Sequence, residues 1–341
     1  MTCSNVIRGV APYAGLLFFF VSGCEVQAQI PSPPTNLQVE GGQSVPTPTL
    51  GAGWTLDKTK VGLAPLGLSC GSLPVYTGAN PIPNGARISG VRFTGFVDLS
   101  RGDIVIERSC FRPTSSGQNA LATTTHFPAC GNSCPVIAQQ KVVIRDSEFD
   151  GSLLSLQSAA NSSAFWGVAD LQRNYIHDLG SGIALYNTGG QLSSLIEHNY
   201  VTRMLSYGDP ATTGNHSDGF TIRDFNVSSN PSRQAIIRNN RFDTNTANAT
   251  GSFFIQDTWS AGIGNIVATG NLLEGGGYEM AGEKRNAPVT NVRVTNNRFR
   301  GKTDGGYGAC YRGGGFVWAE WANNYLYDPA RVDSAGSAVS C

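Results

Sequence analysis

The stretch Ile236-Ile237-Arg238-Asn239-Asn240-Arg241-Phe242 decides the fold. It reads as two or three β-branched or apolar residues, a polar pair, an Asn or Ser, one variable residue and an apolar residue. The same phrase recurs at 104–111, 142–149, 171–176, 195–201, 267–273, 294–299 and 321–326. Aligned on it, the Asn/Ser column falls at Ser109, Ser147, Asn174, Asn199, Asn240, Asn271, Asn297 and Asn324. The successive steps are 38, 27, 25, 41, 31, 26 and 27 residues. A base period near 26 with occasional insertions is the mark of a solenoid. The repeat shows no 3.6-residue period, so each unit is built from strands and turns. A single coil cannot bury its apolar face; stacking about nine of them buries a continuous core. The predicted fold is therefore all-β: a single-stranded β-solenoid of three parallel sheets and about nine coils. Stacked Asn side chains are expected at the corners, tolerating left-handed φ and hydrogen-bonding from coil to coil.

Composition agrees. Forty-two of 341 residues are glycine, against a usual ~7%. Charged residues make up only 14%, which argues against long solvated helices. The 24 basic and 24 acidic residues cancel, so no bulk basic field points to nucleic acid. A 40% hydrophobic content excludes disorder.

The first 28 residues read as a signal peptide, with Arg8 before an apolar stretch from Val10 to Val21 and an exit at Val26-Gln27-Ala28. That stretch is too short to span a bilayer. Val21-Ser22-Gly23-Cys24 is an alternative exit that would place a lipid on Cys24. Residues 29–50 are rich in Pro, Thr and Gly and read as a linker, leaving 51–341 as the β-helix domain. Six cysteines lie beyond the leader: Cys70, Cys110, Cys130, Cys134, Cys310 and Cys341. An even count in an exported chain suggests three disulfides; Cys130–Cys134 would close a small loop and Cys310–Cys341 would pin the C-terminus. The expected product is a secreted monomer with no later membrane span.

The repeated phrase resembles that of the right-handed parallel β-helix, pectate-lyase-like superfamily, over residues 60–330. It is closer still to exported actinobacterial β-helix proteins, through Asn215-His216-Ser217-Asp218-Gly219-Phe220, Phe254-Ile255-Gln256 and Val294-Thr295-Asn296-Asn297-Arg298-Phe299. The resemblance implies a right-handed helix and, by analogy of fold, polysaccharide cleavage by β-elimination or hydrolysis. The chain departs from polygalacturonase-type hydrolases, which need an Asp two residues past the Gly where Thr221 stands, and it lacks the Asp-rich calcium cluster of pectate lyases proper.

Strict alternation along a strand predicts which side chains face outward. Applied to four strands, it gives an outward row of Tyr186, Arg223, Gln256 and Glu279, with Phe254 also outward and Tyr278 and Met280 inward. An aromatic ring, a cation, an amide and a carboxylate in one row suit a sugar chain. His216 and Asp218 enter this face from the longest inserted loop, about Leu205 to Asn215. The candidate catalytic residues are His216, Asp218, Arg223 and Tyr186; the candidate substrate-binding residues are Gln256, Glu279, Lys284 and Phe254. In a uronate lyase Arg223, with Lys284 or Ca²⁺, would neutralise the carboxylate, and His216 or Tyr186 would take the α-proton. A hydrolase would need Asp218 plus a second carboxylate, Glu279 or Asp257. A non-catalytic glycan-binding surface protein is the reading from a different class. Glu283, Arg285 and the pair His177-Asp178 are secondary candidates. His126 and His198 read as structural, and Trp259, Trp318 and Trp321 as cover for the end of the coil. No metal site is expected from the cysteines.

Overall fold

The computed structural model describes residues 50–115, 119–125, 138–258, 262–301, 307–332 and 334–341. The leader, Cys24, all but the last residue of the 29–50 segment, Cys130, Cys134, His126 and Trp259 lie outside the described residues. The described chain forms three parallel sheets of nine, nine and eight strands. The first sheet runs from Arg87–Ser89 to Glu320–Ala322, the second from Arg92–Phe93 to Tyr325–Leu326, and the third from Val97–Asp98 to Gly308–Gly313. Each strand pairs in parallel with the strand one coil away, as Leu171 with Ile196 and Ile196 with Ile237. This is a parallel β-helix of about nine coils, and it has one short α-helix, Leu156–Ala160, among the described residues.

The repeated phrase is the bend between the first and second sheets. Ile236 and Ile237 belong to strand Ala235–Arg238, and Phe242 to strand Arg241–Thr244. The two residues between them turn the chain. The first of each pair, not the ladder residue itself, takes the left-handed conformation: Arg108, Asp146, Arg173, His198, Asn239, Asn296 and Asn323 hold φ between 51° and 56°, and Gly270 holds 68°. This corrects the expectation that the column residue would carry the positive φ. Such a conformation costs roughly 1–2 kcal/mol for a residue with a Cβ, and the side chain that follows offsets it.

That side chain is the buried Asn or Ser. Asn199 Nδ2 donates to Leu171 O at 2.8 Å and to Asn240 Oδ1 at 2.9 Å, and Asn240 Oδ1 also accepts from the Asn199 backbone N–H at 2.9 Å. Asn174, Asn240, Asn271 and Asn297 repeat the pattern on the coil beyond, and two serines extend it: the Ser109 backbone N–H donates to Ser147 Oγ, and the Ser147 backbone N–H to Asn174 Oδ1. The result is one unbroken file from Ser109 to Asn324, with every member at most 2% exposed.

Inside, apolar side chains stack in register. Phe93, Phe111, Phe149, Ile176, Val201, Phe242, Leu273 and Phe299 form one column of the second sheet. The Phe93–Phe111 and Phe111–Phe149 centroids are 4.9 and 4.3 Å apart, about one strand spacing. The last coil is closed by Trp318 and Trp321: Trp321 Nε1 donates to Val339 O at 2.7 Å, and Cys310–Cys341 pins the tail. A second disulfide joins Cys70 to Cys110.

Residues 50–75 do not coil. They run outside the helix as a strap, antiparallel to the stacking direction. Trp54 lies under the Arg298 guanidinium at 4.5 Å, Gly53 N donates to Gly270 O, Leu56 O accepts from Arg241, Gly62 N donates to Arg173 O, and Cys70 reaches Cys110. Leu56 and Val61 bury themselves against Tyr175. His198 Nε2 lies 3.1 Å from Gly51 O.

Replacing Asn199 by Leu keeps the branching of the side chain and removes the amide, leaving Leu171 O and the Asn174 amide without their buried partner. We expect a loss of about 2–4 kcal/mol, read by urea unfolding followed by circular dichroism; a loss within ~0.5 kcal/mol would show that the ladder is decorative.

Candidate functional site

The outer face of the third sheet gathers most of the candidate residues. Strands Ser181–Leu185, Ser217–Ile222, Ala249–Gln256, Tyr278–Glu283 and Gly308–Gly313 lie side by side. Phe220, Phe253 and Met280 share one inward column, each fully buried. Thr221, Phe254, Ala281 and Tyr311 form the outward column beside it. Gln256 is in register with Glu283, and Arg223 follows Ile222, the partner of Ile255.

Arg223 is the centre of the face. Its guanidinium folds back along its own strand and lies over the Phe254 ring, 4.5 Å from the centroid. One arm donates to Gln256 Oε1, and the other approaches Asp218 Oδ2 at 3.5 Å. Gln256 Nε2 donates in turn to Glu283, whose other oxygen holds Arg285 at 3.0 Å. Asp218, Arg223, Gln256 and Glu283 thus form a continuous polar chain across three strands. Gln256 and Phe254 are 5% and 7% exposed, while Arg223 and Glu283 are half-buried.

Asp218 is buried, and burial pushes its carboxyl above the ordinary carboxylate range against the opposing pull of Arg223 and His216. Its Oδ1 makes no hydrogen bond among the described residues, and neither does the buried Thr221 Oγ1 nearby on the same strand. His216 is exposed at the entry to that strand, with Nδ1 3.4 Å from Thr250 Oγ1. The loop that delivers it is tied at its neck by Asn215, which bonds Leu205 O, Tyr207 N and Ser217 Oγ. Lys284 is exposed at the exit of its strand.

Two positions differ from strict alternation. Glu279 does not face outward: Glu283 is the carboxylate in the row of Arg223 and Gln256. Glu279 is 2% exposed, accepts from Gly301 N at 3.1 Å, and is pushed up to about 9 by burial. Tyr278 correspondingly faces outward, its ring stacked on Tyr311 at 4.9 Å. The physical reason is a doublet of inward residues at the bend into the third sheet. Ser252 and Phe253 are both fully buried, Ser252 bonding Glu274 O, and Glu279 and Met280 repeat the pattern one coil on. The doublet shifts the parity of everything before it.

Tyr186 stands at the end of the row but is only 2% exposed, packed edge-on against Trp166 at 4.3 Å; burial raises its hydroxyl above the ordinary range. Asp257 is structural: its carboxylate accepts from the backbone N–H groups of Arg285, Asn286 and Ala287. The strand residue that the alternation rule hid, Tyr278, lies with Tyr311 and Tyr307 on the same face; the parity shift at 252 and 279 is the missing signal for it.

A separate charged cluster lies on the second sheet. His177 contacts Glu148 and Asp178 at 2.8 Å each and Asp150 at 3.8 Å. Arg112 pairs with Asp150, and Arg203 with Asp178. Burial opposes a charge on His177, but the hydrogen bonds to Asp178 and Glu148 outweigh it and hold the imidazole above its ordinary 6.5. Three carboxylates facing three basic groups make a closed network. Asp150, His177 and Asp178 are close enough to share an ion, yet each already has a partner in the network. Ca²⁺ fits no better at Asp218, where a single carboxyl faces a guanidinium; that ion takes 6–8 oxygen ligands.

Compared with models of known protein families, with curated proteins and with solved structures, the chain matches none.

Glu279 and His177 predict the same direction of pH dependence, stability lost as pH rises, over different windows. The folded-state value of Glu279 is raised, so its contribution to stability is lost as pH climbs from 4.5 towards about 9. Glu279→Gln should therefore melt with wild type near the lower bound and above it near the upper one. His177 is also raised, so its contribution is full below 6.5 and lost as pH rises through the folded value. The deficit of His177→Gln should be greatest in mild acid and shrink in alkali. Thermal melts across pH check both.

Proposed function

We propose that this chain is an exported, carbohydrate-active β-helix of the pectate-lyase-like kind, and that the outer face of its third sheet takes a uronate-containing polysaccharide and cleaves it by β-elimination. The observation that carries this reading is the Asp218–Arg223–Gln256–Glu283 chain, whose guanidinium is held over Phe254 and drawn back towards Asp218. Two disulfides among the described residues support an oxidising, extracellular setting.

In this reading Arg223 pairs with the uronate carboxylate and stabilises the charge that develops there when the α-proton leaves. His216, solvent-facing and next to the same strand, takes that proton. The electron pair of the broken C–H bond forms the ring double bond as the adjacent C–O bond breaks, and the leaving oxygen is protonated by water. Hydrolysis is the weaker reading because it needs two carboxylates across the scissile bond. Of the residues offered beside Asp218, Glu279 is turned inward and Asp257 is spent on three backbone N–H groups.

Incubation with polygalacturonate, alginate and glucuronan, followed by ultraviolet absorbance of the unsaturated product, tests the proposal. Arg223→Ala should lower kcat/KM about 100-fold or more, and His216→Ala should lower kcat. Reducing ends without the chromophore would mean hydrolysis; retention on a polymer without any cleavage would mean a binding surface protein; full activity of His216→Ala would remove it as the base.

A further inference from the structure

Beside the polar chain lies a feature that the proposed reaction does not use. Tyr278, Tyr307 and Tyr311 form a cluster on the same face. The Tyr278 and Tyr311 rings stack at 4.9 Å with their planes 23° apart, and Tyr278 lies 5.5 Å from Tyr307. Tyr307 is 76% exposed and Tyr311 37%, unusual for aromatic rings with no covering partner among the described residues. In register, Asp218, Gly251 and Tyr278 form one outward row. Asp218 and Tyr278 are therefore two strand spacings apart, about 9–10 Å, and the residue between them has no side chain. A glycine floor thus separates an aromatic wall from a buried carboxyl whose Oδ1 lacks a partner, with the unpartnered Thr221 hydroxyl nearby.

We infer that this trough is a subsite for one pyranose unit of the polysaccharide, a sugar adjoining the one whose carboxylate meets Arg223. Resting on the proposed function, the inference names how the chain is held beyond the reacting bond. A pyranose presents an apolar C–H face and a rim of hydroxyls. The tyrosine rings take the face, and the hydroxyl rim lies over the Gly251 floor towards Asp218. Stacking does not depend on charge, so this subsite accepts neutral as well as acidic sugars, whereas Arg223 selects the uronate.

Affinity electrophoresis in gels containing polygalacturonate, alginate or the neutral polymer xylan tests this. Tyr307→Ala and Tyr311→Ala alter exposed rings and leave the core intact. Each is expected to weaken retardation about five- to tenfold, with Tyr307→Phe and Tyr311→Phe retaining it. Arg223→Ala should weaken binding of the two acidic polymers more than binding of xylan. If both alanine variants bind as wild type while Arg223→Ala loses the acidic polymers, the subsite is wrong and the proposed function stands. If the tyrosine variants lose binding and no polymer is cleaved, the subsite stands and the lyase reading falls. No retardation by any polymer overturns the subsite.

Discussion

A file of buried amides holds the cylinder together. Each coil must reverse direction sharply between the first and second sheets, and the backbone does so by placing one residue in the left-handed region. That turn strands carbonyl and N–H groups inside the protein, where an unpaired polar group is expensive. One side chain per coil satisfies them: the Asn amide donates back to a carbonyl of the preceding coil and on to the Asn of the next. The repeat is therefore chemical before it is geometric. Asn offers a donor and an acceptor on a short stem, whereas Ser109 and Ser147 manage the same task only with a single hydroxyl.

Because that bend is fixed, the third sheet inherits a fixed register, and side chains far apart in sequence become neighbours. Arg223, Gln256 and Glu283 come from three successive coils and touch only because the stacking does not slip. Arg223 also shows how a cation can be kept on an outer face without being left in open water. An aromatic ring lies beneath it, an amide holds one arm, and a carboxyl with a displaced proton equilibrium stands beside the other. Such a group is oriented in advance, so little freedom is lost when an acidic partner arrives.

The sequence speaks clearly where structure is local and repeated. The phrase around Asn240 occurs eight times and places the bend, the inward column from Phe111 to Phe299, and the parallel pairing. The gathering of Asp218, Arg223, Phe254 and Gln256 follows from those anchors by counting. Counting fails at Glu279 and Tyr278 because two consecutive inward residues break the period of two, and nothing local at Ser252 or Glu279 announces it: both are polar, and each is buried by a carbonyl or N–H supplied from another coil. Tyr307 and the strap were equally silent, the first because it follows no repeat, the second because Trp54, Leu56 and Val61 are matched to partners more than a hundred residues away.

That strap changes how the molecule comes apart. Stacked coils ordinarily interact only with their neighbours, so a solenoid can fray from either end in independent steps. Here a single segment is fastened to the coils of Arg298, Gly270, Arg241, Arg173 and Cys110 in turn. Losing any one of those coils loosens a tether shared by the rest. The strap thereby links coils that do not touch one another, so their opening is coupled beyond what nearest-neighbour stacking alone would give.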